Sequence, residues 1–257
     1  MLNLQSYALV SAALSHAGVD QQRLERLARL EDRRLTPETE LPPMQFLFRL
    51  FGKPCFPRGE LVALTGKPKA GKTFVSSVLM SLCFSSQLLS MKRDDLSPLS
   101  VLWYDTEQSD VSTLDILKNR IMHMVGEEFR AEHFHVFNVR REPWRERLPL
   151  LEVAIEEYHP DLVVVDGIRD LVNDINDGEL SQEVLELLMR LASEQHCCIV
   201  SLLHQNKSPE DRNLRGWIGT ELTNKAFEVF ECRKDKDGVF SFSQQLTRKY
   251  DIMDTLH

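Results

Sequence analysis

The sequence predicts an α/β protein. A mostly parallel central sheet is flanked by helices, with antiparallel strands at the C-terminal end and a short helical region in front. Three observations carry this. Apolar runs alternate with helix-forming segments, and several are apolar at consecutive positions, the pattern of strands buried on both faces. The first run ends in a glycine-containing phosphate-loop pattern and passes straight into a helix. A length of 257 residues, 42% of them hydrophobic, supports one large domain with a sizeable core plus a short appendage.

Residues 4 to about 35 are rich in Ala, Leu, Arg and Gln with few breakers and read as helix. Residues 35–43 (LTPETELPP) break that pattern as a linker, and MQFLFRLF is a short amphipathic stretch ending at Gly52. Residues 1–56 are therefore assigned to an N-terminal helical arm and linker, and 57–257 to the main domain. That domain opens with a strand at 61–65 and a helix from 71 to about 89. The polar segment 91–100 reads as a mobile loop. Strands follow at 101–107, 133–139, 161–166 and 197–203, separated by helices at 111–125, 146–158 and 179–194. The tail holds two or three antiparallel strands turning at Asp237-Gly238, a hairpin dipeptide.

The formal net charge of −8 argues against a surface that coats nucleic acid as a whole, but leaves room for a local basic channel. Cys55, Cys83, Cys197, Cys198 and Cys232 show no CxxC pair and no histidines at zinc-ligand spacing. An odd count without a framework suits a reducing cytosol. The N-terminal apolar stretch is too short to cross a bilayer and has no basic leader, and no longer run follows. A soluble, cytoplasmic protein without a membrane partner is expected.

Gly66-Lys67-Pro68-Lys69-Ala70-Gly71-Lys72-Thr73 matches G-x-x-x-x-G-K-[ST] in full, with Phe74 next in line. The glycines let backbone N–H groups curl around phosphates, and the following helix presents its positive end. Lys72 is placed to reach the β- and γ-phosphates of ATP, and Thr73 to ligate Mg²⁺. Pro68, Lys69 and Ala70 stand where such loops often carry small residues; Lys69 adds a charge near the phosphates. Asp166 ends the apolar strand LVVVD and is the second group expected to hold Mg²⁺.

Hydrolysis also needs a carboxylate for the attacking water and a neutral group that senses the γ-phosphate. Glu107, just past the second strand in VLWYDTEQ, fits the first role, with Asp105 as its competitor. Gln205, or His204 beside it, fits the second, at the end of SLLHQNK. Both lie where parallel sheets place functional groups, at carboxyl ends of strands.

In this order and spacing, GELVALTGKPKAGKT, the acid in YDTEQ, LVVVDGIRDL and SLLHQNK resemble the RecA-like P-loop ATPase superfamily over residues 57 to about 250. Within it the set is closest to RepA-type hexameric replicative helicases of plasmids and related ATPases of mobile elements. The resemblance implies a RecA fold, ATP with Mg²⁺, and a homo-oligomeric ring in which a neighbour's basic residue completes each site. Arg248 and Lys249 occupy the matching region. The loop after the Walker B strand, residues 167–181, is net acidic and a poor partner for single-stranded DNA. The loop at 206–217 carries Lys207, Arg212 and Arg215, with Trp217 as a stacking face. The leading expectation is a DNA helicase or DNA-processing ATPase. A regulatory or loading ATPase acting on a protein partner is the alternative, and no acceptor-binding insertion suggests a phosphotransferase.

Overall fold

A computed structural model describes residues 21–206, 214 and 216–257. The chain divides into two units, Met1–Pro43 and Met44–His257. In the first, α1 (Gln21–Asp32) is helical and has no buried residue; the earlier part of the expected helix lies outside the described residues.

In the second unit, seven strands form the main sheet: β3 (Leu61–Gly66), β6 (Val101–Asp105), β7 (Phe134–Asn138), β8 (Leu162–Asp166), β9 (Cys198–His204), β10 (Glu228–Lys234) and β11 (Phe240–Thr247). Their order is β11-β10-β3-β9-β8-β6-β7, parallel throughout except for β11 against β10. Side chains alternate between two cores. Val62, Leu64, Val101, Trp103, Val164 and Val200 face one, with Leu79 and Leu82 of α2 (Lys72–Leu82). Leu61, Ala63, Leu102, Val163, Val165 and Ile199 face the other. That second core is covered by α5 (Trp144–Tyr158), α6 (Gly178–Gln195) and α7 (Gly216–Lys225). On the α2 side run α3 (Asp110–Ile116), a π-helical turn over Leu117–Ile121, and α4 (Met122–Val125).

The first core also covers a small antiparallel sheet that sequence reading missed, ordered β2-β1-β5-β4: β1 (Phe46–Leu50), β2 (Lys53–Pro57), β4 (Gln87–Leu88) and β5 (Met91–Arg93). The compact unit thus begins at Met44, not at 57, and the expected boundary falls on the last residue of β2. Segment 91–100 is not a mobile loop throughout. Met91 is buried, β5 pairs with β1, and the Arg93 guanidinium donates to the carbonyls of Cys83, Asp95 and Leu96. Polar composition concealed this because Arg93 bonds to local backbone, while Asp94 and Asp95 pair with Arg49 and Arg58.

Glu228 ties the small sheet to the large one. Its buried carboxylate accepts from Phe56 N at 2.7 Å and from Gln244 Nε2 at 3.2 Å. Burial pushes its pKa up to about 7 from an ordinary 4.5. The folded state therefore holds a proton that the unfolded chain releases, so this group's contribution to stability is full below pH 4.5 and declines as pH rises through 7. Glu228→Gln is expected to match the wild type in urea unfolding near pH 5 and to exceed it by about 2 kcal/mol at pH 8.

Candidate active site

The phosphate loop is built by strand β3 meeting α2. Gly66 has φ 153°, and a Cβ there would lie 2.4 Å from the Cys232 carbonyl oxygen of the neighbouring strand. Only glycine lets the loop leave the sheet so close to β10. Lys72 then points back under the loop. Its Nζ donates to the carbonyls of Gly66 (3.1 Å) and Lys67 (3.3 Å) and lies 2.8 Å from His204 Nδ1. Burial lowers its pKa, opposed by the thiol of Cys232 and the carboxylates of Glu107 and Asp166. Ala70 is buried, while Pro68, Lys69 and Phe74 are exposed.

Four strands that are neighbours in the sheet, β3, β9, β8 and β6, deliver groups to one cleft. Lys72, Thr73, Glu107, Asp166 and His204 all line it. Asp166 is pushed up to about 7, chiefly by burial and then by Asp105 and Glu107, and it accepts from Gln108 Nε2 at 3.3 Å. Glu107 is raised by burial and by Asp170, with Lys72 opposing. A Cβ at Gly167 (φ 106°) would meet Thr106 Oγ1 at 2.3 Å and Glu107 Cγ at 2.7 Å, so the glycine after Asp166 makes room for Glu107.

Asp105, the competitor, is fully buried and committed to the fold. It accepts from the backbone N–H groups of Glu107 (3.1 Å) and Gln108 (3.0 Å) and from the Thr113 hydroxyl (2.6 Å). It shapes the turn that presents Glu107. His204 faces the cleft, whereas Gln205 turns away from it: Gln205 Nε2 donates to Glu231 Oε1 at 2.8 Å, and the same carboxylate accepts from Arg233. Of the two candidates for the sensor, His204 is the one that lines the cleft. A one-residue shift along a strand reverses the face, which is why adjacent residues part company here.

Arg248 and Lys249 are not brought to this cleft. They follow β11 at the far end of the sheet, where Arg248 N donates to Phe227 O. The Arg248 guanidinium donates to Asn224 O and Lys225 O at the end of α7, as a basic group does at a helix C-terminus. Lys249 sits over the Tyr250 ring at 5.3 Å. Lys207, Arg212 and Arg215 lie outside the described residues. Trp217 is 52% exposed at the start of α7, its backbone N–H bonded to Ile175 O.

The segment after β8 is less loop-like than expected. Residues Ile168–Leu171 form a 3₁₀ turn with Ile168 and Leu171 buried, and Asp177 caps α6 by accepting from Leu180 N. Two groups on the cleft wall escaped sequence reading, Arg120 and Phe240. The usable signal for Arg120 was the spacing of buried Ile116, Ile121 and Val125, which an unbroken α-helix does not produce.

The residues fit a magnesium-bound nucleotide. Among the described residues no cluster of three His, Cys, Asp or Glu could hold a metal alone. A phosphate-loop Mg²⁺ does not need one, because it takes a hydroxyl and phosphate oxygens and reaches carboxylates with few protein ligands. Thr73 would supply the hydroxyl and Asp166 the acid. The pKa values of Asp166 and Glu107 are raised first by burial and then by neighbouring carboxylates, Asp105 and Glu107 acting on Asp166 and Asp170 on Glu107.

A phosphate loop between β3 and α2, with acids at the ends of adjacent parallel strands, defines a RecA-like P-loop ATPase. The chain belongs to the AAA domain family, whose model matches residues 22–210. Among solved structures the fold is similar to that of a KaiC-like protein from the hyperthermophilic archaeon Pyrococcus horikoshii OT3. The TM-score is 0.54 at 14% identity, covering 79% of this chain and 86% of that one. A search of curated proteins returned no match. Among the described residues no helix is long and apolar enough to cross a membrane, and all five cysteines are free and buried.

Proposed function

We propose that this ATPase is the subunit of a ring-shaped, DNA-processing motor of a replicon or mobile element, related to RepA-type helicases. The observation that supports it is the convergence of Lys72, Glu107, Asp166 and His204 on one open cleft. β8 and β9 both end at the cleft, so the sequence segments that the resemblance assigns to a nucleic-acid channel begin beside the nucleotide site. Glu107 takes the proton of the water that attacks the γ-phosphorus; the bond to the bridging oxygen breaks and ADP leaves. Lys72 balances charge on the γ-phosphoryl oxygens, and His204 reports their presence. Bound Mg²⁺ supplies further positive charge at the β- and γ-phosphates.

A second reading, a regulatory ATPase acting on a protein partner, is favoured by the segment after β8. Asp174, Asp177 and Glu179 stand there beside Asp170, which pairs with Arg169 and Arg147, and the three remaining acids repel phosphate. The two separate on ATP turnover with and without single-stranded DNA at low and moderate salt. On the motor reading turnover rises several-fold with DNA at low salt, and a non-hydrolysable ATP analogue drives ring assembly in sedimentation. No binding and no stimulation at low salt sinks the motor and leaves the ATPase standing.

A further inference from the structure

We propose that Thr106 is a positioning residue for hydrolysis: its buried hydroxyl ties the carboxyl ends of β6 and β8 together and so fixes Glu107 relative to Asp166. The proposal rests on Glu107 serving the attacking water. β6 and β8 run in parallel register up to Asp105 opposite Asp166, and Thr106 and Gly167 are the first residues beyond. There the two segments part. Glu107 lines the cleft, while Ile168 is buried in the second core.

Thr106 is 2% exposed and spans that fork with backbone and side chain alike. Its backbone N–H donates to Asp166 O at 3.1 Å. Its hydroxyl has three acceptors within reach, Asp166 O and Gly167 O, each at 3.0 Å, and Asp170 Oδ2 at 3.2 Å. A hydroxyl has one proton to donate, and all three acceptors belong to the end of β8 or the turn after it. Whichever of them receives it, the residue before Glu107 is bound to the Asp166 side. Asp170 is held in turn from α5, where the Arg147 guanidinium donates to its carbonyl at 3.2 Å. On the other flank, Asp105 accepts from Glu107 N–H at 3.1 Å. The backbone that carries Glu107 is thus fixed on both sides.

Stability of the sheet does not by itself call for such a bond. Thr65 on β3 and Ser201 on β9 carry buried hydroxyls in the same sheet, and among the described residues neither hydroxyl has a hydrogen-bond partner. The hydroxyl that is fully used is the one beside the cleft. A general base acts only from hydrogen-bond distance of its water, and a misplacement of about 1 Å can cost on the order of 10²-fold in rate. The phosphate loop lies on β3 and α2, so loosening the β6–β8 fork lowers kcat and spares binding.

The test measures ATP turnover and equilibrium ATP binding in the wild type, Thr106→Val, Thr106→Ser, Glu107→Gln and the double variant of Thr106→Val with Glu107→Gln, with thermal melts to confirm folding. Thr106→Val keeps the shape and loses the hydroxyl; it is expected to lower kcat about tenfold or more and to leave ATP affinity within about twofold. Thr106→Ser keeps the hydroxyl and is expected to stay within about threefold of the wild type. In the Glu107→Gln background, Thr106→Val is expected to cost less than about twofold more, because it acts through Glu107. A kcat loss below about threefold in Thr106→Val overturns the proposal. So does a serine variant as slow as the valine one, or a double variant whose losses multiply in full, which is the result of a merely structural role. If the valine variant does not fold, Thr106→Ala carries the same comparisons. If Glu107→Gln turns over at the wild-type rate, the underlying reading of Glu107 fails. If it is slow and Thr106→Val matches the wild type, only the role of Thr106 fails.

Discussion

Lys72→Ala is expected to lower ATP turnover about 10²–10³-fold, the loss typical of removing a preorganised electrostatic group at a reacting centre. Lys72 is only 9% exposed and its ammonium is already held by two loop carbonyls and the His204 ring, so it costs little reorganisation to meet a phosphate. It is also the cation whose charge acts on both Glu107 and Asp166. Without it, a nucleotide would bring negative charge into a cleft that already has two carboxylates. Steady-state hydrolysis and equilibrium binding of ATP check this together. Undiminished turnover would place the phosphates elsewhere.

Glu107→Gln is expected to bind ATP with near wild-type affinity and to hydrolyse it about 10²–10⁴-fold more slowly, the range of a general base. The amide keeps the shape beside Gly167 but cannot take a proton. The contrast with Asp105→Asn makes the test specific. That change weakens the bonds to Glu107 N, Gln108 N and Thr113, so it is expected to lower the melting temperature as well as activity. Single-turnover kinetics separate binding from chemistry. An unchanged rate in Glu107→Gln would mean that another group serves the water.

Much of the site was legible because its determinants are local. The loop from Gly66 to Thr73 depends on glycine dihedrals and on the order of neighbouring residues, Asp166 is marked by the strand that ends at it, and Glu107 stands two residues past the end of another. Other assignments required partners far away in sequence. Gln205 and His204 are adjacent, and only the carboxylate of Glu231 on β10 shows which of them turns from the cleft. The carbonyls that hold the Arg248 guanidinium belong to Asn224 and Lys225 at the end of α7, more than twenty residues earlier in the chain. Arg120 was hidden because a π-turn changes the phase of the helix without a composition signal of its own.

The sequence by itself determined the α/β class, the buried parallel strands and the phosphate loop. Runs of apolar residues and glycine positions restrict the backbone wherever they occur. Only the tertiary structure decided that the hairpin at 46–57 belongs to the domain and that Asp105 supports while Glu107 faces the cleft. It also decided that Arg120 and Phe74 stand together beside Lys72. Those relations join residues that are tens of positions apart, and they exist only once β3, β9, β8 and β6 lie side by side in the sheet.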